Sequence, residues 1–167
     1  RSSGGSYAPD ELRTNVGVLE LVTQRAPQFA LAWGRLAFQR AFLRFYQPYA
    51  ERAASAELVI REAERALALD AQNTDALAAQ VFVIAPFGRF IEADAALTRL
   101  RQAPRTGDAR RYIGWMLRHF GHLREALEET EAAYRLDATA TLLLYRALRA
   151  AQRGVRVRLL LDDITAA

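Results

Sequence analysis

The sequence predicts an all-α protein, a right-handed superhelical array of antiparallel helix pairs. Three observations lead there. Gly88, Gly121 and Gly154 recur at a spacing of 33 residues, each where one helical pattern gives way to the next. Asp70-Ala71, Ala103-Pro104 and Asp137-Ala138 keep nearly the same step, each closing a helical run. Alanine and leucine dominate, whereas the chain holds only 9 glycines and 5 prolines, so helix is favoured on propensity throughout. Self-similarity near 34 residues in a helical chain marks a helix-turn-helix solenoid, in which each repeat packs against its neighbours.

The elements follow in order. Residues 1–8 read as a flexible tail or linker, the array as 9–154, and 155–167 as a partial last repeat or the start of a truncated segment. Arg1-Ser2-Ser3-Gly4-Gly5-Ser6, without methionine, has the look of a linker or processed end. Asp10 is the expected N-cap of a first helix to about Arg25, with Val16, Leu19, Leu21 and Val22 on its apolar side. Pro27 separates it from a second helix, about 28–47, rich in aromatics: Phe29, Trp33, Phe38, Phe42, Phe45 and Tyr46. These spread around most of the helix, so part of the set needs cover from a second element, a subunit or a ligand. Pro48 closes that helix, because the residue before a proline is pushed out of helical geometry. The step from Pro27 to Ala71 is about ten residues longer than the repeat, and the surplus fits the long aromatic helix and the Tyr46–Tyr49 turn.

The third helix is expected over about 51–69, with Leu58, Ile60, Ala63, Ala66 and Leu67 in the core. Asn73-Thr74-Asp75 supplies caps for a fourth, about 75–85, carrying Leu77, Val81, Phe82 and Ile84. A fifth (about 89–102) and sixth (about 107–120) flank Ala103-Pro104; a seventh (about 122–136) and eighth (about 139–153) flank Asp137-Ala138. The stretch after Gly154 divides two arguments. The repeat calls for another helix, with Val157, Leu160, Leu161 and Ile164 at helical spacing. The alternation of Val155-Arg156-Val157-Arg158 reads as a strand. Helix is the expectation, since a lone strand has no partner in such an array. Apolar residues of Leu159–Ile164 left uncapped would support a homodimer.

Composition excludes several functions. The chain has no cysteine, which removes disulfides, thiolate zinc sites and cysteine nucleophiles. All 23 residues in the Lys+Arg count are arginine, so lysine chemistry is absent and every side-chain cation is a planar bidentate donor. The cysteine-free composition suits the cytoplasm, which is favoured, and equally the periplasm. No apolar run is long enough to span a membrane. No Gly-rich phosphate loop, nucleophile elbow or His-Glu-x-x-His occurs. His119 and His122 lack the further ligands a metal needs, and no cofactor or metal is expected. The arginines between Arg99 and Arg124 are scattered over two helices and a turn; they read as solvated faces and not as a nucleic-acid stripe.

The candidate surface comes from helical geometry. Arg111, Trp115 and Arg118 stand at i, i+4 and i+7, on one face of the sixth helix, with Asp108 a turn earlier. Tyr145, Arg149 and Gln152 repeat the spacing in the eighth. An arginine fork beside an aromatic suits an acidic peptide, a C-terminal carboxylate or a phosphate. The competing reading makes Trp115 core, with arginine stems covering it.

These residues resemble the tetratricopeptide repeat. Unit 107–138 carries its small residue at Gly114, its turn glycine at Gly121, and its small crossing residues at Ala126 and Ala133. It departs at the aromatic places, where Arg110, Leu117 and Thr130 stand. The helix after Pro27 matches through Trp33, Leu36 and Ala37, and unit 74–104 through Gly88, Ala93 and Leu97. The resemblance covers about residues 10–154. It implies a non-catalytic scaffold that holds a partner's segment in a concave groove lined by the first helix of each pair, with Arg111, Trp115, Arg118, Tyr145 and Arg149 as its contacts. Arrays of this kind are also similar to the ligand-sensing tails of bacterial transcriptional regulators. A second resemblance, of Ala147–Asp163 to a helix-to-strand segment of the phospholipase D superfamily, implies the non-catalytic front of such an enzyme, because the required His-x-Lys motif cannot exist without lysine.

Overall fold

The computed structural model describes residues 8–84 and 89–136, and every regular element among them is helical. There are seven α-helices among the described residues: α1 (Pro9–Arg25), α2 (Ala30–Leu43), α3 (Arg52–Leu69), α4 (Thr74–Ile84), α5 (Phe90–Gln102), α6 (Gly107–His119) and α7 (Leu123–Leu136). They fall into two compact units, Ser6–Ala103 with α1–α5 and Pro104–Ala166 with α6 and α7. The predicted eighth helix, with Tyr145 and Arg149, lies outside the described residues, as do Val155–Ala167 and the segment likened to phospholipase D.

In the first unit, α1 starts at Pro9, whose fixed φ suits the first helical position. Asp10 is therefore not the cap; it lies inside the first turn, where it accepts from Arg13 at 2.7 Å. Leu12, Val16 and Thr23 are buried, whereas Leu21, expected on the apolar side, is 54% exposed.

The second helix is shorter than its residues predict. After Leu43 the chain tightens into a 3-10 turn at Arg44–Tyr46, and a second follows at Tyr49–Glu51. Arg52 fastens this connection by donating to Gln47 O at 3.1 Å and Phe45 O at 3.0 Å. The surplus over the repeat length thus sits in the connection between α2 and α3 and not in a lengthened second helix.

Helix α4 is apolar on nearly every side, with Asp75–Ala79 and Val81–Val83 all buried, so it forms the middle of the unit against α2, α3 and α5. Phe82 meets Phe38 and Phe42 of α2 at ring-centroid distances of 5.8 and 5.1 Å, and those two lie 5.0 Å apart. Only this part of the aromatic set is core. Phe29 is 48% exposed, and Trp33 is half-buried, its indole donating to Pro27 O at 3.1 Å. In α3 the buried face is Ala56, Val59, Glu62, Ala63 and Ala66; Leu58, Ile60 and Leu67 are only half-buried.

Asn73 joins the starts of two helices. Its Oδ1 caps α4 by accepting from Ala76 N at 3.0 Å, and its Nδ2 donates to Ala30 O of α2 at 3.2 Å. The side chain lies against Gly34, where any Cβ would overlap Oδ1.

In the second unit, Thr106 takes the same capping role 33 residues on, accepting from Ala109 N at 3.1 Å. Helix α6 ends in a Schellman turn: Gly121 N donates to Arg118 O and His122 N to Leu117 O, with Gly121 at φ 81°. The pair closes tightly because Gly114 has no Cβ; one placed there would be 2.7 Å from Thr130 Oγ1 and 3.2 Å from Ala126 O. Tyr112, Ile113, Met116 and Leu117 of α6 and Ala126, Leu127 and Ala133 of α7 are buried.

Candidate interaction surface

The Arg111–Trp115–Arg118 row stands on α6, whose position is fixed by the Thr106 cap at one end and the Gly121 turn at the other. Arg111 is already engaged. Its side chain is 16% exposed, donates to Asp108 Oδ1 at 2.5 Å and lies over the Tyr112 ring at 5.0 Å. Trp115 is half-buried, 6.2 Å from the His119 ring, and His119 Nδ1 is 2.8 Å from Trp115 O. Arg118 is half-buried as well. Its Nε is buried and has no hydrogen-bond partner among the described residues, and burial lowers its pKa from the usual guanidinium value. The row therefore offers one guanidinium engaged by Asp108, one half-buried indole and one half-buried guanidinium; the Nε of both arginines is buried, out of reach of an incoming acceptor.

Two further cations near α6 are both engaged. Arg105 and Arg110 both grip the buried carboxylate of Glu129 on α7, at 2.8 and 3.0 Å. Two donors on one carboxylate satisfy both oxygens, so this cluster ties the pair together.

A second feature is absent from the sequence argument. Between α3, α4 and α5 lies a recess of about 350 Å³, floored by Ile60, Gln80, Ile84 and Ala96 and edged by Glu64 and Arg99. Its size falls within the ordinary range of small-molecule sites, and the charged Arg89 and Glu92 also line it. The sequence carried no signal for it: Ile60 and Ile84 read there as inward-facing apolar residues, and only the structure shows them half-buried.

Two buried charges also escaped sequence reasoning. Arg44, 2% exposed, donates to Phe82 O at 3.4 Å and sits 5.5 Å over the Phe45 ring; burial, with Arg52 nearby, lowers its pKa to about 10. Glu62 lies on the buried face of α3. Among the described residues, no group of three or more His, Asp or Glu side chains could hold a metal, and no helix is long and apolar enough to cross a membrane.

No family model matches the chain, and no curated protein matches it. Among solved structures, the chain is similar to a thermophilic TPR (tetratricopeptide-repeat) protein of Thermus thermophilus. The TM-score is 0.65 at 18% identity, covering 87% of this chain and 81% of that one. At that identity the likeness establishes the fold, which is TPR-like.

Proposed function

We propose that the protein is a non-catalytic interaction module that holds an acidic segment of a partner protein against the first helices of its repeats. The TPR-like fold supports a scaffold role. The observation that carries the finer reading is the row on α6: a half-buried indole, Trp115, flanked at helical spacing by two half-buried guanidiniums, Arg111 and Arg118. A carboxylate delivered there gains charge-assisted hydrogen bonds from partly desolvated guanidiniums, worth more than those from a fully exposed arginine. Tyr145 and Arg149 extend the same reading by sequence spacing to the following repeat.

The test is capture from a lysate of the source organism, with wild type, Arg111→Glu, Arg118→Glu and an exposed control, Arg135→Glu, run side by side. The reading requires a protein held by wild type and by the control but lost from both α6 variants, all four showing equal helical circular dichroism. Equal capture by all four removes the α6 row from the reading.

A second reading, a ligand-sensing domain, is favoured by the recess between α3, α4 and α5. A small molecule seated there raises the melting temperature in proportion to the logarithm of its concentration, and Ala96→Trp, which fills the recess, abolishes that rise. A screen that gives no shift in wild type counts against it.

A further inference from the structure

Helices α1 and α3 flank α2, and a single arginine of α2 reaches both. Arg40 Nε donates to Glu62 Oε1 of α3 at 2.8 Å, and Arg40 Nη2 donates to Glu20 Oε1 of α1. The side chains differ in their access to water: Glu62 is 7% exposed, Arg40 20% and Glu20 44%. Only one oxygen of Glu62 is engaged, for its Oε2 is buried with no hydrogen-bond partner among the described residues. An ionised carboxylate wants acceptor contacts on both oxygens, and a bare buried oxygen is costly while it carries charge. Here, moreover, one cation serves two anions, so ionising both leaves a net negative charge in a poorly solvated seam.

The remaining charges do not relieve this. Arg61, on the same helix as Glu62, favours the ionised form, though less than burial opposes it. The one charged residue of α4, which also packs against α3, is Asp75, and it pairs with Arg35 of α2 at 3.5 Å.

We propose that Glu20, Arg40 and Glu62 form a proton-operated clasp, which fastens α1 onto α2 while Glu62 is neutral and loosens it when Glu62 ionises. Neutral Glu62 leaves the charge of Arg40 to Glu20 alone, and α1 is held by an uncontested ion pair. Ionised Glu62 competes for the same guanidinium and repels Glu20 across it. Burial, first among the causes, and Glu20 together push the Glu62 carboxyl up to about 7 against the pull of Arg40. In the unfolded chain the carboxyl titrates near 4.5. With α1 detached, Glu20 no longer raises Glu62, so the closed form holds the extra proton; its advantage is full in acid, where both forms are protonated, and is lost as pH rises through about 7. The clasp is thus tight in acid and slack in mild alkali, and it stands whether or not the α6 row binds a partner.

Hydrogen exchange along the full chain, corrected for intrinsic rates and run from about pH 5.5 to 8, tests it. Wild-type α1 amides are expected to lose up to about tenfold in protection per pH unit below about 7, then level off. Glu62→Gln, which mimics the neutral acid, should give a flat profile at the acid level. Amides of α5 should show a shallower slope than those of α1, because α5 does not depend on the clasp. The proposal is overturned by a flat wild-type profile, by the same slope in Glu62→Gln, or by equal slopes in α1 and α5, which would mean a uniform change in stability. The comparison between helices needs only wild type, so it decides even if the variant fails to fold.

Discussion

Gly114 and Thr130 show how much of this fold rests on single atoms. An added Cβ at Gly114 meets Thr130 Oγ1 at 2.7 Å, closer than unstrained contacts allow. Gly114→Ala is therefore expected to destabilise the chain by about 1–3 kcal/mol, read as a lower midpoint in urea unfolding. Adding Thr130→Ala removes the nearest atom and should return part of that loss, but only part, because Ala126 O still stands 3.2 Å away. Full recovery, or none, would contradict this packing. Gly114 was legible as a small residue at a repeat position. Glu62 and Arg44 were not, because a charged side chain inside an apolar face looks like a mistake in pattern until its partners in other helices are known. The same limit applies to Arg111. Spacing placed it on a face of α6, but its engagement by Asp108 and Tyr112 depends on rotamers that spacing does not determine.

At the scale of helices, the sequence located most ends within a residue or two, because glycine and proline act on the backbone locally. The exception is α2. Pro48 announces the end of α2 but not its place: the chain already tightens to 3-10 geometry at Arg44–Tyr46, where Arg52 takes the carbonyls of Phe45 and Gln47. No local signal announces a donor arriving from the next helix. The two observed side-chain caps allow a paired prediction. Thr106→Ala removes one capping bond and should cost about 1 kcal/mol. Asn73→Ala should cost more, since it also takes a donor from Ala30 O and leaves a void against Gly34. Thermal unfolding of the two variants under identical conditions ranks them. A larger loss for Thr106→Ala would mean that the bond to Ala30 contributes nothing.

For the molecule as a whole, the fold was legible because a 33-residue period is imposed by packing, which the inward faces must obey in every repeat. The partner was not legible, since it reads the outward faces, which packing leaves unconstrained. The chain's composition offers a way to map them. With no lysine, its side-chain cations are all guanidiniums, and arginine-directed glyoxal reagents report on those that solvent reaches. If the α6 row is the contact surface, a bound partner should protect Arg111 and Arg118 from modification and leave Arg135 reactive, as read by peptide mass spectrometry. Protection of Arg135 alone would point elsewhere. The reach of Asn73 has a consequence of another kind. It sets the distance from α2 to α4 by a direct strut across 43 residues of chain, independent of the length of what lies between. The connection from Arg44 to Glu51, which leads into α3, can then change in length while Asn73 and the Phe38–Phe82 contact keep α2 and α4 in register.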